Sequence, residues 1–213
     1  MKTNKMENVL VVGATGTTGN KVVHHLKTSQ DFEPIAMVRN EEQEKSFKEH
    51  NIRTVYGDLE DDVSQTVKEA NHVIFAAGSG GKKVEAVDQD GAIKMIKASE
   101  GANIKKFVML SSMGADNPEQ SEKLQDYLKA KHNADVFLKD SKLNYTIVRP
   151  GTLNNESGQG RIAISKSFSK HGEITRDDVA QTLVQALRDN TTDKTTFEIL
   201  QGDTPIEEAF RTI

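Results

Sequence analysis

The segment VLVVGATGTTGNKVVHHL, from Val9 to Leu26, constrains this chain more than any other. A short, valine-rich apolar run ends in three glycines, Gly13, Gly16 and Gly19, and a stretch with Val22, Val23 and Leu26 at helical spacing follows. The pattern reads as buried strand, sharp turn and helix. At such a turn Gly13 permits the tight bend, Gly16 lets backbone approach a pyrophosphate, and Gly19 lets helix and strand pack closely. Thr15, Thr17 and Thr18 border the same place, and the free N–H groups of the helix N-terminus face the anion. A dinucleotide is the expected ligand; the competing reading is a structural turn that holds nothing.

The rest of the chain repeats this rhythm. Short apolar runs at Val9 to Val12, Ile35 to Val38, Ile52 to Tyr56, Val73 to Ala77, Phe107 to Leu110 and Tyr145 to Val148 predict strands buried on both faces. Between them, Ile93, Met95 and Ile96 form one helical stripe, and Leu124, Leu128, Val136 and Leu138 another. Alternating strands and helices imply a parallel sheet with right-handed crossovers and helices on both faces. The expected fold class is α/β, a Rossmann-type doubly wound parallel sheet. Residues 1–213 are expected to form one domain, in which 151–213 complete the sheet and supply a small appendage on the substrate side. There, Asn154 to Gly160 reads as a loop, followed by a helix over Asp177 to Arg188, a strand over Thr196 to Leu200 and a short helix after Pro205.

Composition narrows the partners. With 28 Lys and Arg against 32 Asp and Glu, the net charge is −4, so no basic field gathers nucleic acid or anionic lipid. The absence of cysteine removes disulfides, thiolate metal sites and a cysteine nucleophile together. No metal site is expected, because the six histidines show no ligand spacing. Met1 to Asn8 is polar and leads directly into the first apolar run, and no run reaches membrane-spanning length. The expectation is a cytoplasmic protein, monomer or homodimer, that acts on a small-molecule substrate without nucleic acid or membrane.

The choice of dinucleotide is read at the end of the second strand, where a carboxylate would pair with the ribose hydroxyls of NAD. Here the run is Ala36, Met37, Val38, Arg39, Asn40. The planar fork of Arg39 suits the 2'-phosphate of NADP, and no carboxylate stands there to repel it. NADP(H) is therefore the expected cofactor, against the alternative of a solvated arginine at a strand end.

Taken together, the turn Gly13 to Gly19, Arg39, Gly57-Asp58-Leu59, Ala76-Ala77-Gly78, Leu110-Ser111-Ser112, Tyr127 to Lys131 and Arg149-Pro150-Gly151 follow one order. In that order the chain resembles the atypical, NmrA-like branch of the short-chain dehydrogenase/reductase superfamily. The resemblance implies that Asp58 and Leu59 lie against adenine and that the backbone of Ala76, Ala77 and Gly78 runs beside the ribose. It also counts Ser111 among the cofactor contacts and places the segment at Pro150 beside the nicotinamide. Read from the residues alone, Asp58 could equally cap the next helix.

Tyr127 and Lys131 are four apart in a predicted helix and share a face. An ammonium near a tyrosine hydroxyl favours the phenolate, which suits proton exchange with a substrate oxygen during hydride transfer. Ser112, with Ser111 beside it, ends the fifth strand on the same edge of the sheet. The resemblance gives Tyr127 the acid/base role, Lys131 support of the tyrosine and a ribose contact, and Ser112 the substrate carbonyl. The alternative is an accidental spacing, and Asp88, where related enzymes often carry asparagine, departs from the pattern. Three functions follow in order of fit: an NADP(H)-dependent oxidoreductase for a small carbonyl, quinone-like or flavin-like substrate; a non-catalytic NADP(H)-binding redox sensor; and a sugar epimerase or dehydratase, for which little chain remains after Gly151.

Overall fold

The computed structural model describes residues 6–213. The polar leader expected from Met1 therefore lies outside the described residues as far as Lys5. Eleven strands are present among the described residues: β1 (Glu7–Val12), β2 (Phe32–Val38), β3 (Arg53–Tyr56), β4 (His72–Phe75), β5 (Lys106–Leu110), β6 (Tyr145–Pro150), β7 (Thr152–Asn154), β8 (Arg161–Ser165), β9 (Glu173–Thr175), β10 (Thr195–Gln201) and β11 (Thr204–Pro205). The α-helices are α1 (Thr17–Lys27), α2 (Glu41–Lys48), α3 (Ala92–Gly101), α4 (Gln125–Asp140), α5 (Arg176–Arg188) and α6 (Ile206–Ala209).

Nine strands form one sheet in the order β11-β8-β10-β6-β5-β4-β1-β2-β3. From β3 to β10 every neighbouring pair is parallel, and β8 and β11 extend the edge antiparallel. Parallel strands covered on both faces must be apolar on both, and β1 divides its residues accordingly. Val9 and Val11 pack with α1, α2 and α5, whereas Leu10 and Val12 pack with α3 and α4. The doubly wound Rossmann-type architecture expected from the sequence is the one observed. Strand order reverses between β1 and β4, which opens a crevice at their carboxyl ends.

Three local expectations change. Leu124 and Val136 are 54% and 41% exposed, so the buried stripe of α4 is Leu128, Ala134 and Leu138. That helix also buries Lys131 and Asp135, and a buried face that includes charges disguises a hydropathy pattern. Between β3 and β4 the chain forms turns and no helix. Asp62 accepts from both the backbone N–H and the hydroxyl of Ser64, a local bond that competes with helix, and Val63, Thr66 and Val67 are poor helix formers. After Gly151 the appendage contains the short parallel pair β7 and β9 and the strand β8, which the sequence pattern did not reveal.

Candidate functional site

At the crevice lies a cavity of about 920 Å³, walled by the glycine turn, the ends of β2, β4 and β5, the segment after β4, one face of α4 and the start of α5. Gly13, with φ +82°, marks its floor, and a Cβ there would come within 2.6 Å of the Ala77 backbone. A Cβ on Gly19 would lie 2.1 Å from the Gly13 carbonyl oxygen. Both glycines are thus required by contacts within the protein. Gly16 differs: its φ is −73°, and a Cβ would meet only the Gly13 carbonyl, at 3.2 Å. Space rather than strain distinguishes this position. The first turn of α1 has no side-chain cap and no acidic residue, so its N–H groups stay available to an anion. Thr15, Thr17 and Thr18 line the cavity beside them.

Arg39 stands on the opposite rim, one residue past β2. The Asn40 side chain caps α2 by accepting from the Gln43 N–H, and the Gln43 side chain accepts in turn from the Arg39 N–H. This reciprocal arrangement fixes the Arg39 backbone at the cavity edge. Its guanidinium is exposed and makes no ion pair or hydrogen bond among the described residues. Asp58 and Leu59 line the same end. The Asp58 carboxylate accepts from the Glu60 N–H, so it organises a turn while facing the cavity.

Ala76, Ala77 and Gly78 run along the middle of the cavity. Beyond them Gly80 and Gly81 adopt φ +61° and +83°, and the chain enters a π-helical segment, Val84–Gly91. That segment delivers Asp88, fully buried, to the cavity wall, where it accepts from the Ser79 N–H and approaches the Lys131 ammonium at 3.5 Å. Lys131 Nζ also donates to the carbonyls of Ala77 and Leu110 and lies 5.7 Å from the Tyr127 ring centre.

Tyr127, Lys131 and Asp135 succeed one another at four-residue intervals on α4. Tyr127 and Lys131 both line the cavity. Behind them Asp135 accepts from the Ser111 hydroxyl at 2.9 Å and from Arg149 Nε and Nη2 at 3.0 and 2.9 Å. Burial pushes the Asp135 carboxyl up, while Arg149, Ser111 and Lys131 pull against it.

The structure gathers Gly13, Thr15, Gly16, Thr17, Thr18, Arg39, Asp58, Leu59, Ala76, Ala77, Gly78, Ser111, Tyr127 and Lys131 around one space. It places Gly19, Ser112 and Pro150 outside the cavity walls. Ser112 donates its hydroxyl to the Met113 carbonyl, and the serine that reaches the cavity is Ser111. Pro150 is buried at the end of β6. Sequence reasoning missed Leu153 and Arg176, which also line the cavity, and the Gly80 to Lys83 segment. The Gly-Gly-Lys-Lys run was a readable turn signal; Arg176 had none, because only the return of α5 to the crevice brings it there.

These residues suit a dinucleotide: a free helix N-terminus over a cradle that a side chain at Gly16 would fill, and a cationic rim at Arg39. Comparison with known proteins agrees. Residues 13–190 match the NAD(P)H-binding family. The chain is 40% identical to the Bacillus subtilis protein called uncharacterized sugar epimerase YhfK, over 95% of this chain and 98% of that one. A solved Bacillus halodurans protein, provisionally named an NAD-dependent epimerase/dehydratase, superposes with a TM-score of 0.93 and 42% identity, over 97% of this chain and 100% of that one. The Lactococcus lactis oxidoreductase ylbE gives 0.87 and 29%, over 97% and 96%.

Proposed function

Because the chain belongs to the NAD(P)H-binding family of atypical short-chain dehydrogenase/reductase Rossmann proteins, we propose that it is an NADPH-dependent oxidoreductase for a small carbonyl, quinone-like or flavin-like acceptor. The observation that carries this reading is the continuity of one cavity from the glycine turn and Arg39 to Ser111, Tyr127 and Lys131. NADPH, when bound, supplies the hydride. The N–H groups at the start of α1 hold its pyrophosphate, and Arg39 takes the 2'-phosphate as a planar fork. Tyr127 donates the proton to the acceptor oxygen, and the Lys131 ammonium stabilises the phenolate left behind. Ser111 lines the cavity and donates its hydroxyl proton to Asp135, which fixes the hydroxyl in the wall beside Lys131.

The cavity volume favours a small acceptor. It lies near the top of the roughly 300–1,000 Å³ typical of a single ligand site. A dinucleotide with a small acceptor suits that space better than a dinucleotide with a nucleotide sugar.

The test is calorimetric titration with NADPH and NADH, followed by single-turnover loss of NADPH absorbance against aldehydes, ketones, quinones and flavins. Arg39 is expected to favour NADPH by about 10- to 100-fold, and Arg39→Ala to erase that preference. Equal wild-type affinities would overturn the cofactor assignment. NADPH binding without reduction of any acceptor would favour a sensor that reports cofactor redox state to another protein.

A further inference from the structure

We infer that Arg176 forms an anion subsite on the acceptor side of the cavity, so that the acceptor is an apolar, ring-bearing molecule carrying a phosphate or carboxylate. Resting on the reading of this cavity as a cofactor and acceptor site, the inference adds the acceptor's chemical class.

Arg176 opens α5 immediately after the capping residue Thr175. Its Nη1 donates to the Leu153 carbonyl at 3.2 Å and to Asn155 Oδ1 at 2.9 Å. Nε and Nη2 make no hydrogen bond among the described residues, and no described carboxylate forms an ion pair with the guanidinium. Two carboxylates adjoin it in sequence, yet both are engaged elsewhere. Asp177 meets His25 at 3.0 Å and Lys21 at 3.7 Å. Asp178, fully buried, accepts from the N–H groups of Gln159 and Gly160 and from the Thr175 hydroxyl. A guanidinium anchored by one nitrogen, left without a counter-charge and set in a cavity wall is preorganised for an anion. Leu153, to which it is bonded, and Leu124 are among the apolar residues that line the same cavity, and Leu124 is 54% exposed. Exposed leucine beside Tyr127 offers a surface for a flat ring, with the anionic group at Arg176. The pyrophosphate of the cofactor has its own donors at the start of α1, which leaves Arg176 to the acceptor.

The experiment titrates the NADP⁺-loaded protein with FMN and with riboflavin, which share one ring system and differ in the phosphate, and follows flavin fluorescence. Wild type is expected to bind FMN about 10- to 100-fold more tightly than riboflavin, the contribution of a charge-assisted contact. Arg176→Gln should reduce FMN affinity to the riboflavin level while leaving riboflavin and NADP⁺ affinities unchanged. Arg176→Lys, which retains the charge, should restore part of the difference and guards against mere loosening of the Leu153 anchor. Equal affinity of wild type for the two flavins, binding of neither, or survival of the difference in Arg176→Gln would overturn the inference. Loss of NADP⁺ affinity in Arg176→Gln would reassign the residue to the cofactor and overturn it as well. Failure of wild type to bind NADP⁺ would overturn the cofactor reading instead, and the flavin comparison would then decide the subsite on the bare protein.

Discussion

The Lys131 ammonium lies 3.5 Å from Asp88 Oδ1, with the two side chains only 4% and 0% exposed. Asp88 reaches this place because the chain runs as a π-helical segment before α3, a distortion common at functional sites. Removing one partner of a buried pair leaves an uncompensated charge. Asp88→Leu should therefore cost about 3–5 kcal/mol, nearer the lower figure because Lys131 retains two carbonyl acceptors. Urea unfolding measures this loss. Combined with Lys131→Met, the substitutions should cost less than their sum, and strict additivity would show that the pair is not coupled.

The three glycines of the turn should separate experimentally. Gly16→Val is expected to abolish NADPH binding in calorimetry while circular dichroism shows the fold retained and thermal unfolding falls only modestly, since its Cβ meets one atom, the Gly13 carbonyl oxygen at 3.2 Å, which must give way slightly. Gly19→Ala should instead destabilise the fold, because its Cβ meets the Gly13 carbonyl at 2.1 Å. Unchanged NADPH affinity in Gly16→Val would move the cofactor away from the turn.

Much of this was legible in the sequence for a physical reason. Strands buried on both faces, such as β1 and β4, must be continuous apolar runs, and a phosphate turn must carry glycines at fixed offsets. Local rules therefore located the sheet, the turn and Arg39. What local rules do not encode is which of two adjacent serines faces inward. Successive strand residues point to opposite faces, but Ser111 and Ser112 follow the end of β5, where the chain is already turning. Arg176 was illegible for a similar reason, since its place depends on how α5 packs against α1. The appendage strands were missed because β7 and β9 have only three residues each, too few for a period to register.

The serine question has a kinetic answer. If Tyr127 is the proton donor, Tyr127→Phe should slow turnover of a carbonyl acceptor by about 100- to 10,000-fold, with NADPH affinity nearly unchanged. Ser111→Ala should raise KM or lower kcat, because it removes a hydroxyl from the cavity wall and from Asp135. Ser112→Ala should be close to wild type, its hydroxyl meeting only the Met113 carbonyl. The reverse order of the two serine variants would restore Ser112 to the acceptor. Wild-type turnover in Tyr127→Phe would leave hydride transfer unassisted, as suits a flavin or quinone that takes its proton from water.

At the amino-terminal end of the interior strand β4, away from the cavity, His72 gives the fold a defined acid sensitivity. Its ring is buried, stands edge-on to Phe32 at 5.6 Å and bonds through Nε2 to the Glu7 carboxylate, which also pairs with Lys105. Burial pushes His72 below its ordinary value; Glu7 opposes the shift, and Lys105 and Lys106 add to it. Between the folded value and about 6.5 the unfolded chain binds more protons at this site than the native state, so stability rises with pH there and falls on acidification. Glu7 is held below the carboxylate's ordinary 4.5 by His72 and Lys105, so its contribution is present above that pH and is lost only at greater acidity. Asp135, pushed up by burial, works in the opposite sense, so the comparison between variants decides the matter rather than the wild-type curve alone. The expected result is a Tm that declines in wild type as pH falls below about 6.5, and a visibly flatter profile in His72→Gln over the same interval. His72→Gln also loses ring packing and lowers Tm at every pH, so the slope is the quantity to read. Parallel profiles for the two proteins would remove His72 as the source of the acid sensitivity.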